Sequence, residues 1–350
     1  MNNNERILSA LPKNTAAWIS SPPACRYLSG FAADNCLCLL SRGGYFYLTD
    51  KRYLEAARRC VTELEPWDIA DIDKLIEKLP ESEFAIEGEH TTLAQLARRQ
   101  EKHPELSFSA QEGLDGLIDD LRSVKTPPEL ERIRRAQSIA ERALESLLPH
   151  IREGVSEREI ALELDYTMLR LGADALSFET IVVSGENSSL PHGVPGERRL
   201  RRGDILTIDF GAVVEGYHSD MTRSFAIGTI AKEECLVYEL VLAAQEAGIA
   251  AARPGISCRE LDGVVRAVFE QAGMGEYFCH GTGHGVGLEI HEAPNVGSKS
   301  DTLLREGMVI TIEPGLYLPE RFGVRIEDMV QISAEGCVNL TSFDKSLRIL

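Results

Sequence analysis

The sequence of 350 residues contains no uninterrupted apolar run of about 18 residues, the length a membrane-spanning helix needs, so no transmembrane span is expected. Positive charge is in deficit: 37 Lys and Arg stand against 55 Asp and Glu, a net charge of −18. That balance argues against a nucleic-acid backbone or an anionic membrane surface as partner. None of the eight cysteines falls in a Cys-x-x-Cys pair, so a thiolate zinc site is not expected. Cys36 and Cys38 are alternate residues of one strand and read as small buried thiols in a reducing compartment, the cytoplasm. No basic segment leads into a hydrophobic core near Met1, so no signal peptide is expected. The first 120 residues hold neither a Gly-rich phosphate loop nor clustered histidines, so any chemistry there is indirect.

What that first part does contain is an alternation of short strands and helices. Asn35–Leu40 and Tyr45–Leu48 read as strands joined by Arg42-Gly43-Gly44, Asp50 to Cys60 as a helix, Phe84–Ile86 as a strand and Thr92 to Lys102 as a helix. This is an α/β pattern of modest size. Thr126-Pro-Pro128 then marks a boundary, because proline cannot continue a helix and restricts the residue before it. From Glu129 a long amphipathic helix is predicted, with Leu130, Ile133, Ala136, Ile139, Ala140, Ala143, Leu144 and Leu147 at helical spacing. The expected division is a smaller α/β domain over 1–122 and a second domain over 123–350.

The second domain is written twice. Arg152-Glu-Gly-Val-Ser-Glu-Arg-Glu-Ile160 returns as Arg253-Pro-Gly-Ile-Ser-Cys-Arg-Glu-Leu261, each with a Ser-x-x-Glu capping box that opens a helix. Each helix ends near a glycine, Gly172 or Gly273. Next come His192-Gly-Val-Pro195 and His291-Glu-Ala-Pro294, then Arg202-Gly-Asp-Ile-Leu-Thr-Ile-Asp-Phe-Gly211 and Glu306-Gly-Met-Val-Ile-Thr-Ile-Glu-Pro-Gly315. Elements recurring in one order predict a pseudo-two-fold domain, and a site at its axis would draw matching residues from both halves.

Acid stands for acid in the two copies: Asp209 matches Glu313, and the returning strands carry Asp220 and Glu327. A reversal about residues 214–215 would set Asp209 opposite Asp220. Two such charges about 4 Å apart repel by about 4 kcal/mol at an effective dielectric of about 20. Alone, that hairpin fits a solvated loop as well as a metal site. Four acids around one axis, buried and unneutralised, would be prohibitive, whereas two divalent cations match their charge. Five of the eight histidines fall between 192 and 291. Three of those lie in Phe278-Cys-His-Gly-Thr-Gly-His-Gly-Val-Gly-Leu-Glu-Ile-His291, a glycine-rich extended stretch rather than a His-x-x-x-His helix. One is expected to ligate, and the others to donate from behind the ligands.

Thr207-Ile-Asp-Phe-Gly211, Ser219-Asp-Met-Thr-Arg223, His280-Gly-Thr-Gly-His284, Glu313-Pro-Gly315 and Arg325-Ile-Glu-Asp328 together resemble the pita-bread metallopeptidases, in particular the aminopeptidase P and prolidase group of Xaa-Pro peptidases. Tyr27-Leu-Ser-Gly-Phe31 and Leu48-Thr-Asp-Lys-Arg-Tyr53 resemble that group's non-catalytic, creatinase-like N-terminal domain. The resemblance implies an α+β protein: a C-terminal pita-bread domain with internal pseudo-two-fold duplication, preceded by a smaller α/β domain. It implies a dinuclear site in which Asp209 binds one ion, His284 and Glu313 the other, and Asp220 and Glu327 bridge. His192, His280 and His291 would orient the substrate carbonyl and stabilise the tetrahedral intermediate, with Arg325 nearby or, alternatively, in a simple strand-to-strand ion pair. A water shared by the ions would attack the carbonyl, and Glu313 would carry its proton to the leaving nitrogen. Four carboxylates and one imidazole suit Mn²⁺ first, then Co²⁺, Zn²⁺ or Fe²⁺.

One departure bears on substrate. Dipeptide-specific members resemble His-Glu-x-Pro-Arg after the last histidine, whereas this chain has His291-Glu-Ala-Pro-Asn295. Without that cation the expectation is an aminopeptidase that cleaves Xaa-Pro at the N-terminus of longer peptides, with Xaa-Pro dipeptidase as the alternative. A metal-free amidinohydrolase resembling creatinase would lack several of the five ligands, and a non-catalytic peptide-binding relative would lose ligands and gain domains. The partner expected is a proline-containing peptide, with a homodimer as the assembly.

Overall fold

Side chains alternate across a strand, and in the N-terminal part both faces of the strands are apolar. Ala17, Ile19, Cys36, Cys38, Leu40 and Tyr47 pack into one cluster; Ala16, Trp18, Leu37, Leu39, Phe46 and Leu48 pack into another. A sheet buried on both faces must be covered on both, and helices do this. In the computed structural model, which describes residues 2–110 and 113–350, these strands form a six-stranded mixed sheet. Its spatial order is Glu65–Asp68, Gly44–Thr49, Cys36–Ser41, Thr15–Ile19, Glu83–Ile86, Ser107–Ser109. The predicted helices are Lys51–Cys60, capped by Asp50, and Leu93–Lys102, capped by Thr92 with Gln95. Cys36 and Cys38 are buried free thiols. The chain divides into two units, Met1–Arg122 and Ser123–Leu350.

The second unit repeats its backbone as it repeats its sequence. Helices Pro127–Leu147 and Glu157–Arg170 of the first half correspond to Lys232–Ala251 and Cys258–Gln271 of the second. Both capping boxes form, Ser156 with Glu159 and Ser257 with Glu260. The connections into these helices are held alike. Gly154 N–H donates to Leu200 O and Gly255 N–H to Leu304 O; Glu157 N–H donates to Arg198 O and Cys258 N–H to Thr302 O. The first long helix starts two residues before the predicted Glu129. Thr126 and Glu129 form its capping box, and Pro127 and Pro128 occupy the first two helical positions, where a missing N–H costs nothing.

Each half also contributes antiparallel strands. Ile181–Ser184, Ile205–Phe210 and Met221–Ala226 form one sheet; Glu292–Val296, Gly283–Gly285, Val309–Ile312, Asp328–Ile332 and Cys337–Asn339 form the other. The pairing of the first hairpin differs from the sequence expectation: Asp209 lies opposite Thr222, not Asp220. The reason is the turn. Val214 pairs with Tyr217, and Glu215 and Gly216 between them both take positive φ, 49° and 83°. A two-residue turn with both residues left-handed suits the strand twist and reverses the chain one position later than expected. The pairing therefore moves by two residues, which keeps Asp209 and Asp220 on one face because faces alternate with period two.

The halves meet along the returning strands. Glu327 N–H donates to Thr222 O at 3.2 Å, Ser224 Oγ donates to Arg325 O at 3.0 Å, and Arg223 pairs with Asp328 at 2.7 Å with both side chains 1% exposed. Apolar clusters back each half: Leu206, Ile208 and Phe210 with the first helices, Ile310, Ile312 and Val330 with Ile256 and Leu261 of the second.

Candidate metal centre

Asp220, His284 and Glu327 each offer a ligand atom to one point, and those atoms all lie within 4.8 Å of one another. Asp220 immediately precedes the strand Met221–Ala226, His284 lies in the short strand Gly283–Gly285, and Glu327 precedes the strand Asp328–Ile332. Glu313 joins them just after the strand Val309–Ile312, with Oε1 3.4 Å from His284 Nε2; Asp220 Oδ2 lies 3.5 Å from the same nitrogen.

The protonation of His284 makes this geometry informative. Its Nδ1 lies 3.1 Å from Gly285 O, and a carbonyl only accepts, so Nδ1 carries the hydrogen. Burial first, and His291 second, push its pKa down to about 4, so the ring is neutral near pH 7. Nε2 then presents a lone pair to two carboxylate oxygens. Lone pair against carboxylate is repulsive unless a proton or a metal cation lies between them.

The acids tell the same story. Burial drives Asp220 well above the ordinary carboxylate range, and the charges of Glu327, Asp209 and Glu313 add to it. Burial does the same for Glu327, with Glu313 and Asp209 adding. Burial lifts Glu313 to about 8 against the opposing charge of Arg325. Asp209 accepts from Arg325 Nη2 through Oδ2 at 2.6 Å, while its Oδ1 is buried without a hydrogen-bond partner. A buried orphan acceptor, an imidazole lone pair facing two carboxyl groups, and acids whose ionisation burial and mutual repulsion oppose all fit a hard divalent cation.

Two threonines in the strands hold the glutamates. Thr222 Oγ1 accepts from Arg325 Nε at 3.1 Å and donates to Glu327 Oε2 at 2.7 Å. Thr311 Oγ1 accepts from His284 N–H at 3.1 Å and donates to Glu313 Oε1 at 3.3 Å. Each hydroxyl is fixed by an N–H on one side, so its hydrogen is directed at the acid on the other.

Arg325 is more than one partner in an ion pair. Buried, it donates to Asp209, Thr222, the Pro191 carbonyl at 3.1 Å and the Tyr317 hydroxyl at 2.8 Å. Tyr317 then bonds His280 Nε2 at 2.9 Å, and His280 Nδ1 lies 2.8 Å from Gly281 O. Burial pushes His280 down to about 4, so Nδ1 is the donor to the carbonyl and Nε2 accepts from Tyr317. The structure thus joins His280 to the acids through Tyr317 and Arg325 rather than directly. His291 is exposed, its ring edge-to-face with His284 at 4.3 Å; His192 is exposed, and its charge contributes to depressing His280. Asn295 pairs with His284 across the strands.

Tyr317, Thr222 and Thr311 escaped the sequence reading. For Tyr317 a signal existed: the hairpin of Gly315–Leu318 with Phe322–Arg325 pairs Gly315 with Arg325, which sets Tyr317 diagonally beside Arg325 on one face. For the threonines there was none, since a strand threonine is ordinary.

Comparison with known proteins agrees with these observations. Residues 131–334 match the model of metallopeptidase family M24, and residues 13–124 match the creatinase/prolidase N-terminal domain. An Xaa-Pro dipeptidase of Pyrococcus horikoshii is 38% identical over 98% of this chain and 97% of its own length. A solved Xaa-Pro dipeptidase from Bacillus anthracis superposes with a TM-score of 0.95 at 36% identity, covering 99% of each chain. A solved X-Pro aminopeptidase from Thermotoga maritima gives a TM-score of 0.91 at 35% identity over the whole of both chains. With its creatinase-type N-terminal domain and its duplicated domain bearing this acid and histidine cluster, the chain belongs to metallopeptidase family M24, the pita-bread family of the Xaa-Pro peptidases.

Proposed function

We propose that this metallopeptidase is an Xaa-Pro dipeptidase, a prolidase, working with two divalent cations. The sequence reading put aminopeptidase first on the strength of Asn295. The similar proteins weigh the other way: relatives of Pyrococcus furiosus at 45% identity and of P. horikoshii at 38% carry the name Xaa-Pro dipeptidase, as does the B. anthracis structure. The absence of arginine at 295 is outweighed because a basic residue elsewhere can meet the dipeptide's carboxylate. Aminopeptidase action is the second reading, favoured by Asn295 itself and by the T. maritima structure.

The observation that carries the metal reading is the neutral His284 with its Nε2 lone pair between Asp220 and Glu313. Asp209, Asp220, His284, Glu313 and Glu327 would hold the ions, Mn²⁺ first among the candidates. When bound, such ions polarise a carbonyl and lower the pKa of water toward neutrality. The chain's own groups do the rest. Glu313, oriented by Thr311, accepts the proton of the attacking water and delivers it to the proline nitrogen. That nitrogen has no hydrogen of its own in the peptide and leaves only once protonated. Arg325 holds Asp209 and is itself held by Tyr317, so His280 serves the ligand set through this chain of bonds. His291 and His192, both exposed, are the groups assigned to the substrate carbonyl. No helix among the described residues is long and apolar enough to cross a membrane; a cytoplasmic homodimer is part of the proposal.

The test is hydrolysis of Ala-Pro and Ala-Pro-Ala by protein stripped with a chelator and reloaded with Mn²⁺ or Co²⁺. The expected result is metal-dependent cleavage with the dipeptide preferred. Preference for the tripeptide selects the aminopeptidase, and no cleavage of any Xaa-Pro peptide overturns both.

A further inference from the structure

We infer that the buried ion pair of Lys125 and Glu292 positions His291 for the reaction, although both residues stand outside the ligand set. The inference rests on the assignment of His291 to the substrate carbonyl made above. Glu292 follows His291 directly and opens the strand Glu292–Val296, which pairs with the strand of His284. The register slips there: His284 faces Asn295, and Gly285 faces Glu292. The residues between form a loop that brings His291 back against His284, ring centroids 4.3 Å apart.

The Glu292 carboxylate fills the inside of this loop. A Cβ on Gly287 would collide with it, so glycine is what allows the close approach. Glu289 N–H points at its Oε2 from 3.4 Å. The other side of the loop is packed: Val286 is fully buried in a cluster with Leu130, Ile133, Tyr217, Val309 and Met329, and Gly287 O accepts from His218 N–H at 2.8 Å.

Lys125 supplies the fixed end. Its Nζ lies 2.6 Å from Glu292 Oε1, with the two side chains 1% and 4% exposed. The same ammonium donates to Ser123 O at 3.1 Å, and Lys125 N–H donates to Gly307 O at 2.9 Å. Backbone therefore holds the lysine at its root and at its head. Taking two charges out of water is a poor route to stability, and an apolar pair of equal volume stabilises as well or better. What an ion pair adds is direction. The lysine fixes the Glu292 carboxylate, the carboxylate fixes the loop from inside, and His291 is the neighbouring residue on the chain.

A double-mutant cycle tests this. The variants are Lys125→Met, Glu292→Gln, His291→Ala and the doubles Lys125→Met/His291→Ala and Glu292→Gln/His291→Ala, each full-length. The readouts are kcat and KM on Ala-Pro at saturating Mn²⁺, Mn²⁺ affinity, and melting temperature. Lys125→Met is expected to lose about 10- to 100-fold in kcat, the scale of an outer-shell positioning contact, with Mn²⁺ affinity within about threefold of wild type. Glu292→Gln, nearly isosteric, is expected to lose less in the same direction. Each double is expected to lose no more than His291→Ala alone, because residues that act as a unit are not additive. Losses that multiply in the doubles overturn the inference, as does a folded Lys125→Met protein with wild-type kcat. Where Lys125→Met fails to fold, the Glu292→Gln cycle decides by the same criterion. His291→Ala with wild-type kcat overturns the assignment of His291, and the inference with it. That result is distinct from multiplying losses, which leave the assignment standing.

Discussion

His284 shows how a single side chain can announce a cation. Its Nδ1–H is committed to Gly285 O, burial keeps it neutral, and the remaining lone pair faces Asp220 and Glu313. Tyr317 is the residue through which that centre reaches outward. It joins Arg325 to His280 and is itself buried, with burial lifting its phenol to about 12, so it stays protonated and donates throughout the working range. Replacing Tyr317 by Phe keeps the ring and removes both bonds. The expected loss is about 10- to 100-fold in kcat or in Mn²⁺ affinity, with the fold intact by circular dichroism. A Tyr317→Phe protein with unchanged kinetics and metal affinity would mean the hydroxyl only fills space.

At the scale of elements, the duplicated helix starts are the clearest agreement between sequence and structure. Ser156 Oγ accepts from Glu159 N–H at 3.1 Å, and Ser257 Oγ from Glu260 N–H at 3.2 Å. Caps are local: both groups lie within four residues, so the pattern is legible in sequence. Ser257→Ala should destabilise by about 1 kcal/mol, Ser156→Ala by a similar amount, and the double by their sum, because the two caps share no partner. Urea melts of the three variants check this; a markedly non-additive double would show that the halves do not unfold as one. The first hairpin was legible only in part. Its strands and acids were evident, but its pairing hung on the turn residues Glu215 and Gly216, whose left-handed conformations moved Asp209 from Asp220 to Thr222. Pro127 and Pro128 misled in the same way: a residue that ends helices elsewhere begins this one.

For the molecule as a whole, the site opposes folding until it is loaded. Glu313 titrates at about 8 in the folded protein, against about 4.3 for an unfolded glutamate, and Asp220 and Glu327 are raised as well. Above the unfolded value these acids bind more protons folded than unfolded, so stability falls as pH rises toward the folded pKa. His284 and His280, lowered to about 4, act in the opposite sense, but mainly below their unfolded pKa of about 6.5. Between about pH 6.5 and 8 the three raised carboxylates outweigh the two histidines, whose contribution fades over the lower part of the window. Chelator-treated protein should therefore melt several degrees lower at pH 8 than at pH 6.5, and Mn²⁺ should reverse that trend most strongly at pH 8, since an ion replaces the protons. Thermal melts at both pH values with and without Mn²⁺ decide; a metal-free melting point that rises over this window would contradict the clustering of the acids.

The sequence by itself determined that the second unit is a duplication and that four acids occupy equivalent places in it. Repeats, caps and period-two patterns are written in neighbouring residues, and so were the motifs through which the chain resembled the pita-bread metallopeptidases. Only the tertiary structure decided what each group faces. That His280 meets Tyr317 rather than the acids, that Thr222 and Thr311 aim hydrogens at Glu327 and Glu313, and that Lys125 reaches Glu292 all depend on contacts between segments distant in the chain. Such contacts follow from how packed elements cross, and a threonine in a strand or a lysine before a helix carries no mark of the partner it will find.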